Sequence, residues 1–441
     1  MLYPDCLRRA LCTAALLIFS LPGVSATDGT ASTASVAAVS GTSSPAAVVK
    51  PGIEVLRDRG FDCLAGKRVG LVTNPSGVDS QLRSTVDILN DDPRVNLVAL
   101  FAPEHGIRGD VYAGGKVDGG SDKATGLPVH SLYGATREPT AQMLEGLDVV
   151  VYDIQDVGTR SYTFISTLGL VMRACAQKGI PVVVLDRPNP LGGLKVEGPL
   201  VRPGFHSFVG QYAIPYIYGL TVGELARLIN EEGLNCGQKG DKPALRCKLT
   251  VIPMEGWKRS MLFTETGLPW ILPSPNIPSA ESAVCYPSAG ICGEFYNYLN
   301  IGIGYTLPFA TFAEEWIDAD ELKRKLDSYH LPGTAWRTIH YKPFSGRLSG
   351  KLIHGVQFFF TDYEAADITL TQFYVMQAVH ELYGRNPIAS AGDRLSMFDK
   401  VCGGDYVRLN FGRTMRVSSI LGYWKGDVEA FKTLSRKYWI Y

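Results

Sequence analysis

Short, largely apolar segments that alternate with helical ones are the feature that most constrains the fold of this chain. The segments predicted as strands are 68–73, 95–101, 149–153, 181–185 and 248–253. The segments predicted as helices between them are 80–90, 163–178, which Gly179 ends, and 221–232, which begins with a Thr221/Glu224 capping box. This alternation predicts a parallel sheet with helices on both faces, as in Rossmann-like α/β domains.

The pattern changes after this region. Residues 254–310 are rich in proline and predicted loops, and the later segments 351–361, 368–382 and 429–438 predict one strand and two helices. We therefore divide the fold into a Rossmann-like N-terminal domain over 51–253 and a smaller α+β C-terminal domain over 254–441.

The first 26 residues are predicted to be a secretory signal peptide. Arg8 and Arg9 precede an apolar run that ends at Val24-Ser25-Ala26, where small residues suit a cleavage site. The run is shorter than the roughly 20 residues that span a bilayer, so a membrane anchor is disfavoured. No later segment is long and apolar enough to span a membrane. We expect an exported protein, periplasmic or secreted, with residues 27–50 as a flexible linker.

Composition excludes some classes of protein. The 441 residues include 43 Lys+Arg and 43 Asp+Glu, so there is no cationic surplus for non-specific binding of nucleic acid. A hydrophobic content of 46% excludes disorder of the whole chain. Because export permits disulfides, Cys236 and Cys247, which flank a loop, are the pair most suited to form one.

Polar clusters follow four of the predicted strands directly. In open α/β sheets, ligands bind beyond the carboxyl ends of the strands, so these clusters predict a site. The candidate residues in them are Asn74, Glu104, His105, Arg108, Asp153, Gln155, Asp156, Arg160, Asp186, Arg187 and Asn189. Each also has a structural explanation, as a turn cap, an ion pair or a loop brace, but it is improbable that all of them are structural.

Several familiar motifs are missing from these positions. No G-x-G-x-x-G follows the first strand, so no dinucleotide cofactor is expected, and there is no G-x-S-x-G nucleophile motif. The His380-Glu381 pair lacks the second histidine of a zinc protease motif. A carboxylate-centred site without a metal remains, and it suits acid/base chemistry on a small neutral or anionic substrate.

Six long runs of the chain follow the sequence pattern of one known family: residues 66–80, 97–110, 149–169, 181–200, 208–226 and 251–279. In these runs the chain resembles the exo-β-N-acetylmuramidase (NamZ) family. The resemblance extends from Pro51 to about Gly403. It implies a Rossmann-like domain and a smaller C-terminal domain with the active site in the cleft between them. It also implies that terminal N-acetylmuramic acid is released from the non-reducing ends of peptidoglycan fragments.

The family's proposed catalytic glutamate belongs to an A-P-E-H-G motif, which stands here as 102–106, so the resemblance assigns catalysis to Glu104. Glycoside hydrolysis needs a second group, and Asp153, Asp156 or the 2-acetamido group of the substrate can supply it. The remaining candidates are assigned to substrate binding. They are Arg108, Arg160 and Arg187 for the sugar carboxylate, Asn74, Gln155 and Asn189 for hydroxyls, His105 and Asp186 as further polar contacts, and Trp257, Trp270 and Tyr305 for stacking.

One departure from the family pattern leaves alternatives open. Ile301 and Ile303 stand where many members have Glu and Arg. This change is compatible with a glycosidase of another amino sugar, or with a binding protein that has lost catalysis. A metal-dependent hydrolase is a further alternative. Its ligands would be His105, Asp153, Asp156 and Asp186.

Overall fold

The computed structural model describes residues 48–109, 119–234 and 245–441. Its larger sheet has seven strands, numbered β1 to β7 in chain order: Arg68–Thr73, Asn96–Ala102, Gly120–Ser121, Pro128–Ser131, Val149–Asp153, Val182–Leu185 and Leu249–Ile252. The five segments predicted as strands from their apolar pattern are all present, with ends shifted by no more than one residue. The short strands β3 and β4 were not predicted.

The strand order of this sheet is β3-β4-β2-β1-β5-β6-β7. Strands β4, β2, β1, β5, β6 and β7 run parallel, whereas β3 runs antiparallel to β4. The chain adds β2 on one side of β1 and later β5 on the other. A crevice for ligands forms where the order reverses in this way, beyond the carboxyl ends of β1 and β5.

Four helices cover the two faces of this sheet. They are α1 (Gly52–Asp58), α2 (Thr85–Asp91), α3 (Phe164–Lys178) and α4 (Val222–Glu232). Strand β5 is fully buried, and its side chains alternate between the faces. Val149 and Val151 pack with α1 and α2, whereas Val150 and Tyr152 pack with α3 and α4. The predicted parallel sheet with two helical layers is therefore confirmed.

The second, smaller sheet is antiparallel. Its strands are β8 (Thr311–Glu314), β9 (Thr334–Tyr341) and β10 (Ile353–Phe360), in the order β8-β10-β9. The helices of this half are α5 (Ala280–Ala289), α6 (Ala319–Asp327), α7 (Thr371–Tyr383), α8 (Leu395–Cys402), α9 (Tyr406–Thr414), α10 (Leu421–Lys425) and α11 (Val428–Ser435). This arrangement confirms the α+β class predicted for the C-terminal part.

The two halves share one hydrophobic core. Val157 and Tyr216, which follow strands of the larger sheet, pack in the same cluster as Ala283 of α5 and Phe312 of β8. All four side chains are fully buried. This shared core fixes α5 beside the carboxyl edge of the larger sheet.

The chain is packed before the predicted start of the fold. Val49 is fully buried, and Lys50 pairs with Glu255 in an antiparallel bridge. The last residues of the predicted linker are therefore part of the folded protein. The predicted signal peptide and linker residues up to 47 lie outside the described residues.

The predicted disulfide also involves a residue that the structure does not describe. Cys236 lies outside the described residues, so its predicted bond to Cys247 is not described either. The six described cysteines form no disulfide with one another. No described helix combines the length and apolar character needed to cross a membrane.

Candidate active site

The carboxyl ends of β1, β2, β5 and β6 lie at one edge of the larger sheet and carry the predicted polar clusters. Asn74 directly follows β1, Glu104 follows β2, Asp153 ends β5 and Asp186 directly follows β6. The hydrogen-bond and ion-pair partners of these side chains differ. Some side chains hold neighbouring loops together, whereas others lie around Glu104.

Glu104 lies in a tight turn after β2. His105 and Gly106 both have left-handed backbones, with φ of 75° and 80°. The Gly106 N–H donates to the Pro103 carbonyl at 3.1 Å. A left-handed residue other than glycine costs about 1–3 kcal/mol, and such strain is concentrated at functional sites. The His105 side chain is buried in this turn, while Glu104 is half-buried.

Hydroxyl groups hold the Glu104 carboxylate. Thr163, just before α3, donates from its hydroxyl to Glu104 Oε2 at 2.9 Å. Burial, the Glu104 charge and a hydrogen bond to Glu104 raise the pKa of Tyr133 to about 12. The Tyr133 hydroxyl therefore stays protonated beside the carboxylate. Thr163 thus holds the Glu104 carboxylate, and Tyr133, which is distant from it in the sequence, borders the same group.

Two more tyrosines lie within the electrostatic reach of Glu104. Burial is the main cause that raises the pKa of Tyr162 and of Tyr286, and the Glu104 charge contributes to both shifts. Their rings meet edge to face with centroids 5.6 Å apart. Tyr286 belongs to α5 and Tyr162 precedes α3. The surroundings of Glu104 are therefore aromatic and come from both halves of the protein.

Asp156 is a second carboxylate near Tyr162. Its charge, like that of Glu104, contributes to the raised pKa of Tyr162. Its Oδ2 accepts a hydrogen bond from the Tyr218 hydroxyl and one from the Gly158 N–H, the latter at 2.8 Å. Its Oδ1 is buried and has no hydrogen-bond partner within the described residues. Burial raises the pKa of Asp156 to about 6. Asp156 therefore retains an oxygen that can accept or donate a proton.

Gly158 allows this placement of Asp156. Its φ is +77°, which favours glycine, and an added Cβ would lie 2.2 Å from Asn189 Oδ1. A side chain at this position would displace either Asn189 or the backbone N–H that binds Asp156. The loop after β5 therefore depends on glycine for close contact with the loop after β6.

Stability is expected to depend on pH through Asp156. In the unfolded chain this carboxyl ionises near 3.8, whereas in the fold its pKa is about 6. Between these values the folded state binds more protons, so stability falls as pH rises, by up to about 1.4 kcal/mol per pH unit.

Urea unfolding of wild type and Asp156→Asn at a series of pH values tests this expectation. The difference in their free energies of unfolding should change between pH 4 and pH 6 and level off above. Burial also raises the pKa of Asp186 to about 7, but Asp186 is present in both proteins and cancels. A difference that stays constant across this range would contradict the buried state of Asp156.

Asp153 and Arg187 form a buried ion pair. Arg187 Nε lies 2.5 Å from Asp153 Oδ1, and Nη2 lies 2.8 Å from Oδ2. The Thr85 hydroxyl also donates to Asp153, and Arg187 donates to the Val78 carbonyl. The side chains are 0% and 5% exposed. Their hydrogen-bonding capacity is thus used within the fold, which favours a structural role over the predicted roles in catalysis and binding.

Asp186 fastens the end of the chain to the sheet. It is fully buried and accepts hydrogen bonds from the Gly223 N–H, the Thr221 hydroxyl and the Tyr441 hydroxyl, at 2.7, 2.7 and 2.8 Å. Both carboxylate oxygens are engaged. The predicted contact of Asp186 with substrate is therefore replaced by a structural contact with the C-terminal residue.

The three amide side chains predicted to bind hydroxyls are likewise used between loops. Asn74 donates to the Pro273 carbonyl at 3.3 Å, and within its own loop it accepts from the Ser76 N–H at 3.0 Å. Gln155 donates to the Pro188 carbonyl at 2.7 Å, and Asn189 donates to a loop carbonyl at 2.9 Å. All three amides are buried. They connect the loops after β1, β5 and β6 to neighbouring loops.

Two of the predicted carboxylate-binding arginines also have partners. Arg108 forms a two-pronged pair with Asp122, at 3.0 and 2.9 Å. Arg160 is 1% exposed and donates to three backbone carbonyls, among them that of Val401. Burial lowers the pKa of Arg160 to about 10. Arg160 therefore connects the two halves of the protein. It does not face the site.

The aromatic residues predicted to stack on a sugar lie in packed environments. Trp257 is 4% exposed and packs edge to face on Tyr441. Trp270 is half-buried and donates from Nε1 to a backbone carbonyl at 3.1 Å. Tyr305 stacks on Tyr341 with centroids 4.3 Å apart. The Trp257 prediction is corrected outright, because the core covers this ring.

The residues named for a metal-dependent hydrolase do not form a ligand set. Asp153 and Asp186 are held by separate partners, and Asp156 binds Tyr218. The described residues hold no cluster of three or more His, Cys, Asp or Glu side chains suited to a metal ion. This geometry gives the metal alternative no support.

Sequence reasoning missed Tyr133, Thr163 and Tyr286. Thr163 had a usable signal, since it directly precedes α3 and lies only seven residues after Asp156. Tyr133 and Tyr286 had none, because they are distant in sequence and only the packing of the two halves brings them to Glu104.

Known proteins match this chain over almost all of the described fold. The family model described as the N-terminal part of exo-β-N-acetylmuramidase NamZ matches residues 69–281, and the C-terminal model matches 284–441. The peptidoglycan β-N-acetylmuramidase NamZ of Bacillus subtilis (strain 168) is 42% identical over 394 residues, which cover 89% of this chain and 91% of the relative.

Two crystal structures have the same fold. Both are DUF1343 family proteins of Bacteroides fragilis NCTC 9343, and in both cases the match covers 89% of this chain and 99% of theirs. One is 49% identical with a TM-score of 0.83, and the other is 30% identical with a TM-score of 0.69. The Glu104 turn lies inside the matched N-terminal region. The chain therefore belongs to the exo-β-N-acetylmuramidase NamZ family of glycoside hydrolases.

Proposed function

We propose that this protein is an exo-acting glycoside hydrolase that releases terminal N-acetylmuramic acid from the non-reducing ends of peptidoglycan fragments during cell-wall recycling. The observation that carries the proposal is Glu104, a half-buried carboxylate that is held by Thr163 and lies beside Tyr133 among tyrosines of both halves. It lies in the region that matches the family's N-terminal model.

Glu104 is proposed as the general acid and base. As the glycosidic C–O bond breaks, its carboxyl proton moves to the leaving oxygen, and the resulting carboxylate then accepts a proton from the water that attacks the anomeric carbon. The net change is the addition of one water molecule across the bond. The Thr163 hydroxyl, 2.9 Å from Oε2, orients the carboxyl group.

The second group required for hydrolysis is proposed to be the 2-acetamido group of the substrate, oriented by Asp156, or Asp156 itself. Asp156 has a buried oxygen without a hydrogen-bond partner within the described residues. Asp153 is less suitable, because both of its oxygens bind Arg187. We therefore assign the supporting role to Asp156.

A panel of nitrophenyl β-glycosides tests the choice of sugar. We expect hydrolysis of the N-acetylmuramide and at least about tenfold slower hydrolysis of the N-acetylglucosaminide, which lacks the lactyl ether. Equal or greater activity on the glucosaminide would instead support a glycosidase of another amino sugar. Binding of the muramide without turnover would support the non-catalytic alternative.

The departure at 301 and 303 does not by itself favour those alternatives. Ile301 is 7% exposed, packs in the shared core and approaches Gly293. Ile303 accepts a hydrogen bond from Asn300 through its backbone carbonyl at 3.0 Å. The apolar side chain at 301 is explained by packing.

We also propose that the protein is exported, on the basis of the charged, apolar and small-residue pattern of residues 1–26. Expression of the full chain in a bacterial host and N-terminal sequencing of the product test this. A mature protein that begins at Thr27 in the periplasm or medium is expected. An uncleaved cytoplasmic chain would contradict the proposal.

A further inference from the structure

The substrate in the proposed function carries a lactyl carboxylate, and the protein needs a cation to recognise it. Arg108, Arg160 and Arg187 are committed to an aspartate, to backbone carbonyls and to a buried aspartate, respectively. A guanidinium that is buried, or whose charge is already neutralised by a carboxylate, attracts a further carboxylate less strongly. A cation without such a partner near Glu104 would be better suited to bind the lactyl carboxylate.

Arg137 has this property. Its guanidinium lies over the Phe208 ring, 4.2 Å from the centroid, and 5.8 Å from the centroid of Tyr133. Among the described residues it contacts no carboxylate. The acidic residue beside it, Glu138, forms a two-pronged pair with Arg173, at 2.9 and 2.5 Å. Arg137 is therefore exposed, stacked on rings and able to donate to a ligand.

Tyr133 connects this cation to the catalytic carboxylate. Its ring centroid lies 5.8 Å from the Arg137 guanidinium, and the charge of Glu104 contributes to the raised pKa of its hydroxyl. The charge of Arg137 opposes the effect of Glu104 on the same hydroxyl, so both charges lie within electrostatic range of it. Tyr133 and Phe208 themselves approach to 6.3 Å between centroids. The planes of the two rings are tilted by 43° to each other, and together the rings limit the positions available to the guanidinium.

We propose that Arg137 is the specificity residue that binds the lactyl carboxylate, with Tyr133 and Phe208 as its support. This inference rests on the proposed function. A guanidinium held by ring contacts keeps its N–H groups free for a two-pronged bond to a carboxylate. One end of the sugar would then be held at Arg137 while its anomeric carbon faces Glu104. A neutral amino sugar would lack this contact.

The test uses nitrophenyl N-acetyl-β-muramide and the same compound with its lactyl carboxylate converted to the primary amide. Wild type should prefer the acid. Arg137→Met should raise KM for the acid by about 10- to 100-fold, the loss expected for a charge-assisted hydrogen-bonded pair, and should change KM for the amide little. The KM of Arg137→Lys for the acid should lie between those of wild type and Arg137→Met. Lysine keeps the positive charge but cannot form a two-pronged bond to the carboxylate.

Arg385→Met is the matched control. Arg385 is also exposed, stacks on Trp316 at 4.0 Å and, among the described residues, contacts no carboxylate. We expect wild-type kinetics from it. Binding of free N-acetylmuramic acid by calorimetry gives a second readout, and this binding should weaken by a similar factor in Arg137→Met only.

The outcomes separate this inference from the proposed function. If wild type does not cleave the acid substrate, the proposed function fails. A second outcome is that wild type cleaves the acid substrate while both Arg137→Met and Arg137→Lys still prefer the acid to the amide as strongly as wild type does. In that case Arg137 is not the carboxylate site. Equal losses on acid and amide in both variants would show a purely structural role and would also overturn the inference.

Discussion

Replacement of Glu104 by glutamine is expected to lower kcat/KM for a MurNAc-GlcNAc disaccharide by about 10³-fold, within the range that general acid/base groups contribute. Glutamine keeps the size of the side chain and an oxygen for the Thr163 hydroxyl, which lies 2.9 Å from Oε2. It cannot deliver a proton to the leaving sugar oxygen. Chromatographic measurement of released N-acetylmuramic acid gives the rate.

The size of the loss in Glu104→Gln should depend on the leaving group of the substrate. Nitrophenolate departs without a proton, so Glu104→Gln should lose distinctly less activity on the nitrophenyl muramide than on the disaccharide. Glu145→Gln, at an exposed position, is the control and should behave like wild type. Retention of more than about a tenth of the disaccharide activity, with the fold intact, would remove Glu104 from the role of acid.

Replacement of Arg187 by glutamine is expected to lower the free energy of unfolding by about 3–5 kcal/mol. The change leaves the Asp153 carboxylate, which is 0% exposed, without its cation. The Thr85 hydroxyl remains as a donor but carries no charge. Urea unfolding followed by fluorescence measures the effect, and the variant with Asp153→Asn added should recover part of the loss.

The exposed pair of Arg68 and Asp148 provides the comparison. Its side chains are 53% and 40% exposed, so Arg68→Gln should cost less than about 1 kcal/mol. An Arg187→Gln protein of normal stability that no longer binds the sugar would show that Arg187 is a binding residue. That result would restore the role which the sequence suggested for it.

The sheet could be predicted from sequence because its signal is local. Strand β5 is a run of apolar residues buried on both faces, and helix α4 begins at the predicted Thr221/Glu224 capping box. The hairpin strand β3 has only two residues, both exposed, and therefore no apolar pattern. Helix α6 was not predicted either. It carries many charges, and only a few of its residues, such as Leu322 and Leu326, contact the core.

The location of the site could also be predicted, but not the role of each residue in it. The rule for parallel sheets places Asn74, Glu104, Asp153 and Asp186 at one edge. Whether a carboxylate there faces substrate depends on its partners. Asp153 binds Arg187, and Asp186 binds the last residue of the chain. Such partners are distant in sequence, so composition and spacing could not identify them.

The same reason explains the residues that were missed. Tyr133, Arg137 and Tyr286 occur in segments without a motif, and they approach Glu104 only through the packing of loops and of α5 against the sheet. Nothing in the sequence around these residues sets them apart from other tyrosines and arginines. A functional role could be assigned only from the three-dimensional arrangement.

Exo-acting hydrolysis by Glu104 is tested most directly with the tetrasaccharide MurNAc-GlcNAc-MurNAc-GlcNAc and mass spectrometry of its products over time. We expect one free N-acetylmuramic acid per molecule and a trisaccharide that begins with GlcNAc at its non-reducing end and resists further cleavage, with both products nearly absent for Glu104→Gln. Release of a disaccharide from the interior, or equal product from the Glu104→Gln protein, would contradict it.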